Sequence, residues 1–411
     1  MRIGSQDVVL PTTMVGNYPN PRWYDGHSYA VYPQGEFVYD AISREAFEDA
    51  VGAIVRDQES AGLDIISDGR VYGGDSPYGQ IIYHYYQRLG GYKMSGPPIG
   101  LPIYSTLFSP TCVGEVRREH PFHLATLRAT RRATKRPVKI SYTGIQVLAA
   151  ATTNEYYKET KELALAIAKA FNEDFKELAD SGCDIIQLDE FVWPYGMGDW
   201  EIEALNTAVE GVDCQFWVHT CWGNYSGTPG YFPDEDEDKD NGAWVLDHRT
   251  SASAAPDRAL AIFPQVNDAH IAALNYEVGR IGADDLQPLK DNDWQKDFIA
   301  GIVDVKSTIT ETSEEVADRI RKVLDYVAGR AAGAVHRLRP DQPAPHDRQG
   351  QAARARRRRP DRPRRARQGI ATDDETFPSL RRRECLIGRL RRAYSSARTM
   401  ATASPMLRSL A

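Results

Sequence analysis

The sequence predicts an α/β fold with a parallel sheet, on the basis of two observations. Between about residues 8 and 327, short apolar runs typical of buried strands alternate with segments of helical periodicity. Parallel strands need long crossovers, which helices usually supply. No Gly-x-Gly-x-x-Gly motif follows any of these runs, which counts against a dinucleotide-binding sheet. The number and size of the repeated units therefore favour a (β/α)8 barrel, the TIM-like architecture.

The first half of the predicted barrel begins with an amphipathic helix at 46–62 and a strand at 63–68. A buried strand is predicted at 138–145, and a long helix follows it. One stripe of this helix is apolar, which predicts that it packs on the sheet. The stripe consists of Leu163, Ile167, Phe171, Phe175 and Leu178.

The second half contains four more predicted strands and a last helix. The strands are 184–191, 215–221, 269–277 and 298–307. Thr312 and Glu315 have the spacing of a capping box, so the last helix is expected to begin there. Its predicted buried residues are Val316, Ile320, Val323, Leu324 and Val327.

Two regions of different composition divide the chain. Residues 328–411 hold 21 Arg, no Lys and seven acidic residues, although the whole chain has a net charge of −7. A basic arm that binds nucleic acid would normally mix Lys with Arg, so nucleic acid is not an expected partner. Arg without Lys is the pattern of GC-rich codons translated out of frame. We therefore predict a barrel at 1–327 that lacks its last strand and helix, and a frameshifted, disordered tail at 328–411.

The remaining composition indicates a cytoplasmic protein. The sequence has no uninterrupted apolar run of about 18 residues and no secretory signal pattern, so no contact with a membrane is expected. Its five cysteines are scattered, which does not suggest a disulfide framework. A cysteine with a special role is then more plausible as a metal ligand or a nucleophile.

Polar residues follow several of the predicted strands. They are Asp68 with Arg70, Asp189 with Glu190, His219 with Cys221, Glu277, and Asp304 with Lys306. The active site of a (β/α)8 barrel lies at the C-terminal ends of its strands. These residues are therefore the candidates for catalysis and binding.

The segment WVHTCWGN is the most specific of these signals. His219 and Cys221 are two residues apart in a strand, so their side chains point to the same face and can reach one ion. Imidazole and thiolate ligands suit Zn2+. A buried cysteine beside a hydrogen-bonded histidine would give the same pattern, but the position at a strand end, with Glu277 ending the next strand, favours a zinc site.

An ordered set of motifs extends over the whole predicted barrel: LPTTMVGNYPNP, DIISDGR, DIIQLDEF, WVHTCWGN, LNYEVGR and GIVDVKS. With this set the chain resembles the zinc-dependent thiol alkyltransferases related to the catalytic half of cobalamin-independent methionine synthase. The resemblance implies that His219, Cys221 and Glu277 bind zinc. The family's fourth ligand, a cysteine in a DCG motif, is absent as printed. A shifted frame can restore it across the codons of Leu338 and Arg339.

The resemblance also implies what the zinc does: it binds a substrate thiol and presents it as a thiolate to an electrophilic carbon. Arg70 stands where methionine synthases carry the glutamate implied to bind the ammonium of homocysteine, and a guanidinium suits an anion instead. Asn17 and Lys306 also depart from the methionine synthase pattern. We predict Arg70, Asn17 and Glu190 as substrate-binding residues, with Asp189 and Lys306 as catalytic residues.

These departures favour the branch of the family that adds coenzyme M, 2-mercaptoethanesulfonate, to short-chain epoxides, with Lys306 or a tyrosine as the acid. The expected partners are therefore a small thiol and an epoxide. Methyl transfer to homocysteine is the nearest alternative. A uroporphyrinogen-type decarboxylase would not need the zinc motif, and a nucleic-acid-binding protein on an inactive barrel would lose salt-sensitive binding when its tail is deleted.

Overall fold

The structure is a computed structural model, and its described residues cover most of the predicted barrel. They are 2–3, 6–7, 10–24, 41–73, 79–96, 98–101, 105–191, 193, 197, 200–220, 262–279, 283, 286–292, 294–303 and 311–331. Cys221, Asp304, Lys306 and nearly all of the tail at 328–411 lie outside them.

Six parallel strands form the central sheet. They are β3 (Ile66–Ser67), β8 (Val138–Thr143), β10 (Ile185–Asp189), β11 (Gln215–Thr220), β12 (Ala273–Glu277) and β13 (Asp297–Gly301). In the sheet they stand in the order in which the chain makes them, and every neighbouring pair is parallel. This is the order of a barrel rather than of a doubly wound sheet. The α/β class and the parallel sheet are therefore confirmed.

The sheet is curled, and its concave side is filled by side chains from several strands. One buried cluster contains Ile65, which directly precedes β3, together with Ile185, Trp217 and Ala273, although β3 is not a neighbour of β10, β11 or β12. Lys139 on β8 lies with Nζ 5.6 Å from the ring centroid of Trp217 on β11, across the intervening β10. Such contacts require the strands to curve towards one another.

Helices connect the strands and cover the convex side. They are α1 (Ala41–Ser60), α2 (Gly79–Tyr86), α3 (Leu124–Ala133), α4 (Ile145–Ala150), α5 (Thr160–Asp180), α6 (Trp200–Val209), α7 (Gln287–Asp291) and α8 (Ser313–Ala331). The predicted apolar stripe of α5 is fully buried. Apolar residues on the outer face of β8, such as Ile140 and Tyr142, belong to the same core cluster as this stripe.

The capping box before α8 is confirmed. The Glu315 amide donates to Thr312 Oγ1 at 3.3 Å, and the Thr312 amide donates to Glu315 Oε2 at 2.6 Å. Three of the five predicted inward residues are buried, whereas Leu324 and Val327 are half-buried. The helix follows β13, which is half-buried along its length and forms one edge of the described sheet.

Short strands outside the central sheet were not predicted. They are β1 (Arg2–Ile3), β2 (Gln6–Asp7), β4 (Leu89–Lys93), β5 (Pro98–Leu101), β6 (Ser105–Phe108), β7 (Thr111–Arg118) and β9 (Thr153–Asn154). Those from β4 to β7 lie in a long insertion between α2 and α3, where β4 and β7 pair antiparallel. Among the described helices, none combines the length and the apolar character needed to cross a membrane.

Candidate active site

Arg70 and Asp189 form a buried ion pair at the C-terminal ends of β3 and β10. Nη2 of Arg70 donates to Oδ2 of Asp189, and their side chains are 5% and 9% exposed. Arg70 has a φ of +56° and Gly69 one of +69°, so the chain turns sharply after β3. A Cβ on Gly69 would lie 2.8 Å from Ile54 Cγ2, so a glycine is required there. The turn directs the guanidinium towards the end of β10.

The N-terminal segment at 10–24 crosses the same end of the sheet. The Tyr18 amide donates to the Gly69 carbonyl at 2.9 Å, and a Cβ placed on Gly16 would lie 3.5 Å from Arg70 Nε. Asn17 stands between these two contacts and is exposed. The structure therefore brings Asn17 next to the Arg70 turn, although the two are 53 positions apart in the sequence.

A chain of hydrogen bonds runs inside the curled sheet from Lys139 to Asp189. Lys139 Nζ donates to Gln187 Oε1 at 2.6 Å, and Gln187 Nε2 donates to Asp189 Oδ1 at 2.7 Å. Both side chains also hold the N-terminal segment, because Lys139 donates to the Met14 carbonyl at 2.6 Å and Gln187 donates to the Val15 carbonyl at 2.9 Å. These hydrogen bonds therefore connect Lys139, deep inside the curled sheet, to the ion pair of Arg70 and Asp189.

Burial shifts the pKa of two charged groups in this interior. It raises the pKa of the Asp68 carboxyl to about 6, against the opposing effect of Arg70. It lowers the pKa of the Lys139 ammonium to about 7, against the opposing effect of Asp189. Two cationic side chains, Arg70 and Lys139, thus face two acidic ones, Asp68 and Asp189.

Glu190 lies on the other side of β10, against the start of α4. Its Oε1 accepts from the Gln146 amide at 3.2 Å, and its carboxylate is packed against Gly144. Burial raises the pKa of Glu190 to about 8, against the opposing effect of backbone amides such as that of Gln146. Successive side chains in a strand alternate between faces, so the side chains of Asp189 and Glu190 point to opposite sides of the sheet. A direct contact of Glu190 with substrate stays a prediction.

His219 is the last residue but one of β11, and Glu277 is the last residue of the neighbouring strand β12. The Cα of His219 pairs with that of Asn275, and Glu277 lies two residues further along β12 on the same face. His219 Nδ1 lies 3.3 Å from Asn275 Oδ1. With the amide oxygen turned to the ring, the matching tautomer has the hydrogen on Nδ1 and the lone pair on Nε2.

His219 and Glu277 are of the chemical types that bind the zinc ion implied by the resemblance, although the described residues contain no group of three His, Cys, Asp or Glu that could hold a metal ion. A histidine that donates through one ring nitrogen and coordinates through the other is the usual arrangement at a metal centre, and a carboxylate on the same face is a common zinc ligand. Asp189 stands beside His219 in the sheet register, so the ion pair is on the strand adjacent to the candidate ligands.

Three residues of this site were missed in the sequence, namely Lys139, Gln187 and Asn275. All three occupy inward positions of their strands, two residues from another inward polar group. Polar residues at alternate positions of an otherwise apolar strand were the available signal. The signal was hard to recognise in β8 and β10, because their outer faces are apolar and the strands therefore resemble ones that are buried on both faces.

Comparisons with known proteins place this chain in a family. The family model for the catalytic domain of cobalamin-independent synthase matches residues 10–223. The chain is 46% identical to the 2-hydroxypropyl-CoM lyase of Xanthobacter autotrophicus over 336 residues, which cover 80% of this chain and 88% of that protein. It is 30% identical to the methionine synthase of Saccharolobus solfataricus over 323 residues, which cover 77% and 84% of the two chains.

Solved structures show the same fold. A B12-independent methionine synthase from Shewanella sp. W3-18-1, bound to selenomethionine, matches with a TM-score of 0.61 and 24% identity, covering 78% of this chain and 87% of that one. A putative vitamin-B12-independent methionine synthase from Listeria monocytogenes matches with a TM-score of 0.52 and 18% identity, covering 78% and 89%. The chain therefore belongs to the family of cobalamin-independent synthase catalytic domains, as the ordered motifs predicted.

Proposed function

We propose that this protein is a zinc-dependent thiol alkyltransferase that adds coenzyme M to short-chain epoxides and forms 2-hydroxyalkyl-coenzyme M. The observation that carries the proposal is the buried Arg70 guanidinium paired with Asp189, which stands beside His219 in the sheet register. The 46% identity to a 2-hydroxypropyl-CoM lyase supports it. We also propose that the curled sheet is part of a closed (β/α)8 barrel and that the protein acts in the cytoplasm.

In this proposal His219, Cys221 and Glu277 hold the metal. Zinc, when bound, would lower the pKa of the substrate thiol and keep it nucleophilic at neutral pH. Asn275 keeps His219 in the tautomer that leaves Nε2 available as a ligand atom. The fourth ligand that the resemblance implies is the cysteine of the shifted frame.

Arg70 binds the anionic end of the thiol substrate in this proposal. A sulfonate presents three acceptor oxygens, and a guanidinium meets such a group with parallel N–H donors. Asp189 accepts from Nη2 and so fixes the plane of the guanidinium before substrate arrives. Asn17 is exposed beside this turn and can contribute a further polar contact. Lys306 is proposed to give a proton to the alkoxide formed when the epoxide ring opens.

The test is an assay with defined substrates. Epoxypropane is supplied with either coenzyme M or homocysteine, and the thioether product is measured by mass spectrometry. We expect product with coenzyme M alone. The assay is run on the chain as printed and on a chain whose frame is shifted after codon 328, because the fourth ligand should raise zinc occupancy. Consumption of epoxide by neither protein would refute the proposal.

The alternative function is methyl transfer to homocysteine, which the 30% identity to a methionine synthase supports. An ammonium would have to bind where Arg70 now pairs with Asp189, and a guanidinium repels it. Methionine formed from methyltetrahydrofolate and homocysteine, without use of the epoxide, would establish this alternative.

A further inference from the structure

Gln187 is held by hydrogen bonds on both sides of its amide. The Val15 carbonyl can only accept, so the atom of Gln187 that faces it is the nitrogen, and the oxygen faces Lys139 Nζ at 2.6 Å. The amide nitrogen then points to two acceptors, Asp189 Oδ1 at 2.7 Å and the Val15 carbonyl at 2.9 Å. Chemistry thus settles the orientation of an amide whose oxygen and nitrogen are otherwise hard to distinguish.

The Lys139 side chain is also held by several hydrogen bonds. Its Nζ meets three oxygens, those of Met14 at 2.6 Å, Val15 at 3.2 Å and Gln187 at 2.6 Å. An ammonium has three N–H donors, whereas a neutral amine has two. The side chain is fully buried, so each of these bonds replaces lost water. The cation therefore fits this position and holds both Gln187 and the N-terminal segment.

Asp189 receives one donor on each carboxylate oxygen. Gln187 donates to Oδ1 from inside the sheet, and Arg70 donates to Oδ2 from the turn after β3. Rotation of the carboxylate about its bond to the chain would break both bonds together. The direction of the Arg70 guanidinium is therefore set by Asp189, and the direction of Asp189 is set by Gln187 and Lys139.

We propose that Lys139 and Gln187 are positioning residues which, through Asp189, hold Arg70 in the orientation that selects a thiol with an anionic group. Both residues lie further inside the sheet than the strand end with the proposed metal ligands, so they act through Asp189. The inference rests on the proposed function, because it concerns how the same site selects its thiol substrate. It adds two residues from the interior to the determinants of that selectivity.

The experiment compares two thiols that differ in the anionic group. Coenzyme M and 2-mercaptoethanol are each supplied with epoxypropane, and the ratio of their kcat/KM values is the selectivity. We expect Gln187→Met to lower this ratio by about tenfold or more, because the charge-assisted bond that orients the Asp189 carboxylate is lost. We expect Lys139→Met to lower it in the same direction. A role confined to folding would lower both kcat/KM values and leave the ratio unchanged.

The matched control is Ser141→Ala. Ser141 lies on the same face of β8 as Lys139, and its hydroxyl makes only a long bond of 3.4 Å to the Val15 carbonyl. Its ratio should stay within about twofold of the wild-type value. If Gln187→Met does not fold, Gln187→Glu decides, because it keeps the shape and the Lys139 bond but opposes the Asp189 carboxylate.

A binding measurement distinguishes failure of the positioning role from failure of the proposed function. Ethanesulfonate, which lacks the thiol, is titrated into wild type and variants by calorimetry. If wild type binds it and the Gln187 and Lys139 variants bind it equally well, the positioning role is wrong while the proposed function stands. If wild type itself does not bind it and shows no preference for coenzyme M, the proposed function fails first.

Discussion

The guanidinium of Arg70 and the carboxylate of Asp189 are paired across 119 positions of sequence, both buried at the end of the parallel sheet. The sequence predicted them as separate contributors, one for substrate binding and one for catalysis. Their pairing means that a change in either alters the other. It also means that the cation is oriented before any substrate binds.

Arg70→Glu should therefore reverse the preference for the thiol. The change removes the cation, sets a second carboxylate beside Asp189 and repels a sulfonate. We expect the KM for coenzyme M to rise by about tenfold or more, with the zinc content unchanged. Steady-state kinetics and metal analysis measure the two quantities. Arg117→Glu is the control, because Arg117 is an exposed arginine outside the central sheet; an equal rise in KM there would contradict the assignment.

His219→Ala should remove most of the zinc from the protein. The substitution deletes one ligand from a site whose remaining groups cannot complete a tetrahedral shell. Glu277→Gln should weaken the binding in the same direction. Inductively coupled plasma mass spectrometry of the purified proteins measures the metal. His270→Ala, which alters an exposed histidine, should retain the wild-type content. Undiminished zinc in the His219 variant would exclude this site.

Gly144→Ala should destabilise the fold at the point where Glu190 packs against the start of α4. A Cβ on Gly144 would lie 2.7 Å from the Asp189 carbonyl oxygen and would collide with the Glu190 carboxylate. We expect a loss of about 1–3 kcal/mol in the free energy of unfolding, from overpacking. Urea denaturation measures it. Gly114→Ala is the matched control, since its nearest neighbour would be 3.6 Å away; equal losses in the two variants would argue against the close contact.

Asp68→Asn should change how stability depends on pH. Burial raises the pKa of Asp68 from 3.8 to about 6, so the folded protein binds this proton more tightly than the unfolded chain does. The contribution of Asp68 to stability is present below about pH 4 and is lost as the pH rises through about 6.

The variant has no such proton. Its free energy of unfolding, measured relative to that of wild type, should therefore rise by up to about 3 kcal/mol between about pH 4 and pH 7. Urea denaturation across this range measures the difference. Asp180→Asn, at an exposed position, should run parallel to wild type. Parallel curves for Asp68→Asn would show that the carboxyl is not desolvated in the folded protein.

Hydrophobic periodicity determined the α/β class, the succession of strands and helices along the chain and the buried stripe of α5, because burial of an apolar face is encoded locally in the spacing of residues. The capping box before α8 was equally local, since its two partners are three positions apart. The ordered motifs also identified the family. Some strand ends were placed within two residues, as for β10, which was predicted at 184–191 and is formed by Ile185–Asp189.

Only the tertiary structure decided how the polar residues are connected. Arg70 meets Asp189, and Lys139 meets Gln187 and the N-terminal segment, through contacts between residues 48 to 125 positions apart. No local pattern encodes such contacts, because they depend on the curvature of the sheet and on a turn with positive φ after β3. The separation of Asp189 from Glu190 has the same origin. The sequence names two adjacent carboxylates, and the pleat of β10 sends one into the interior and the other under α4.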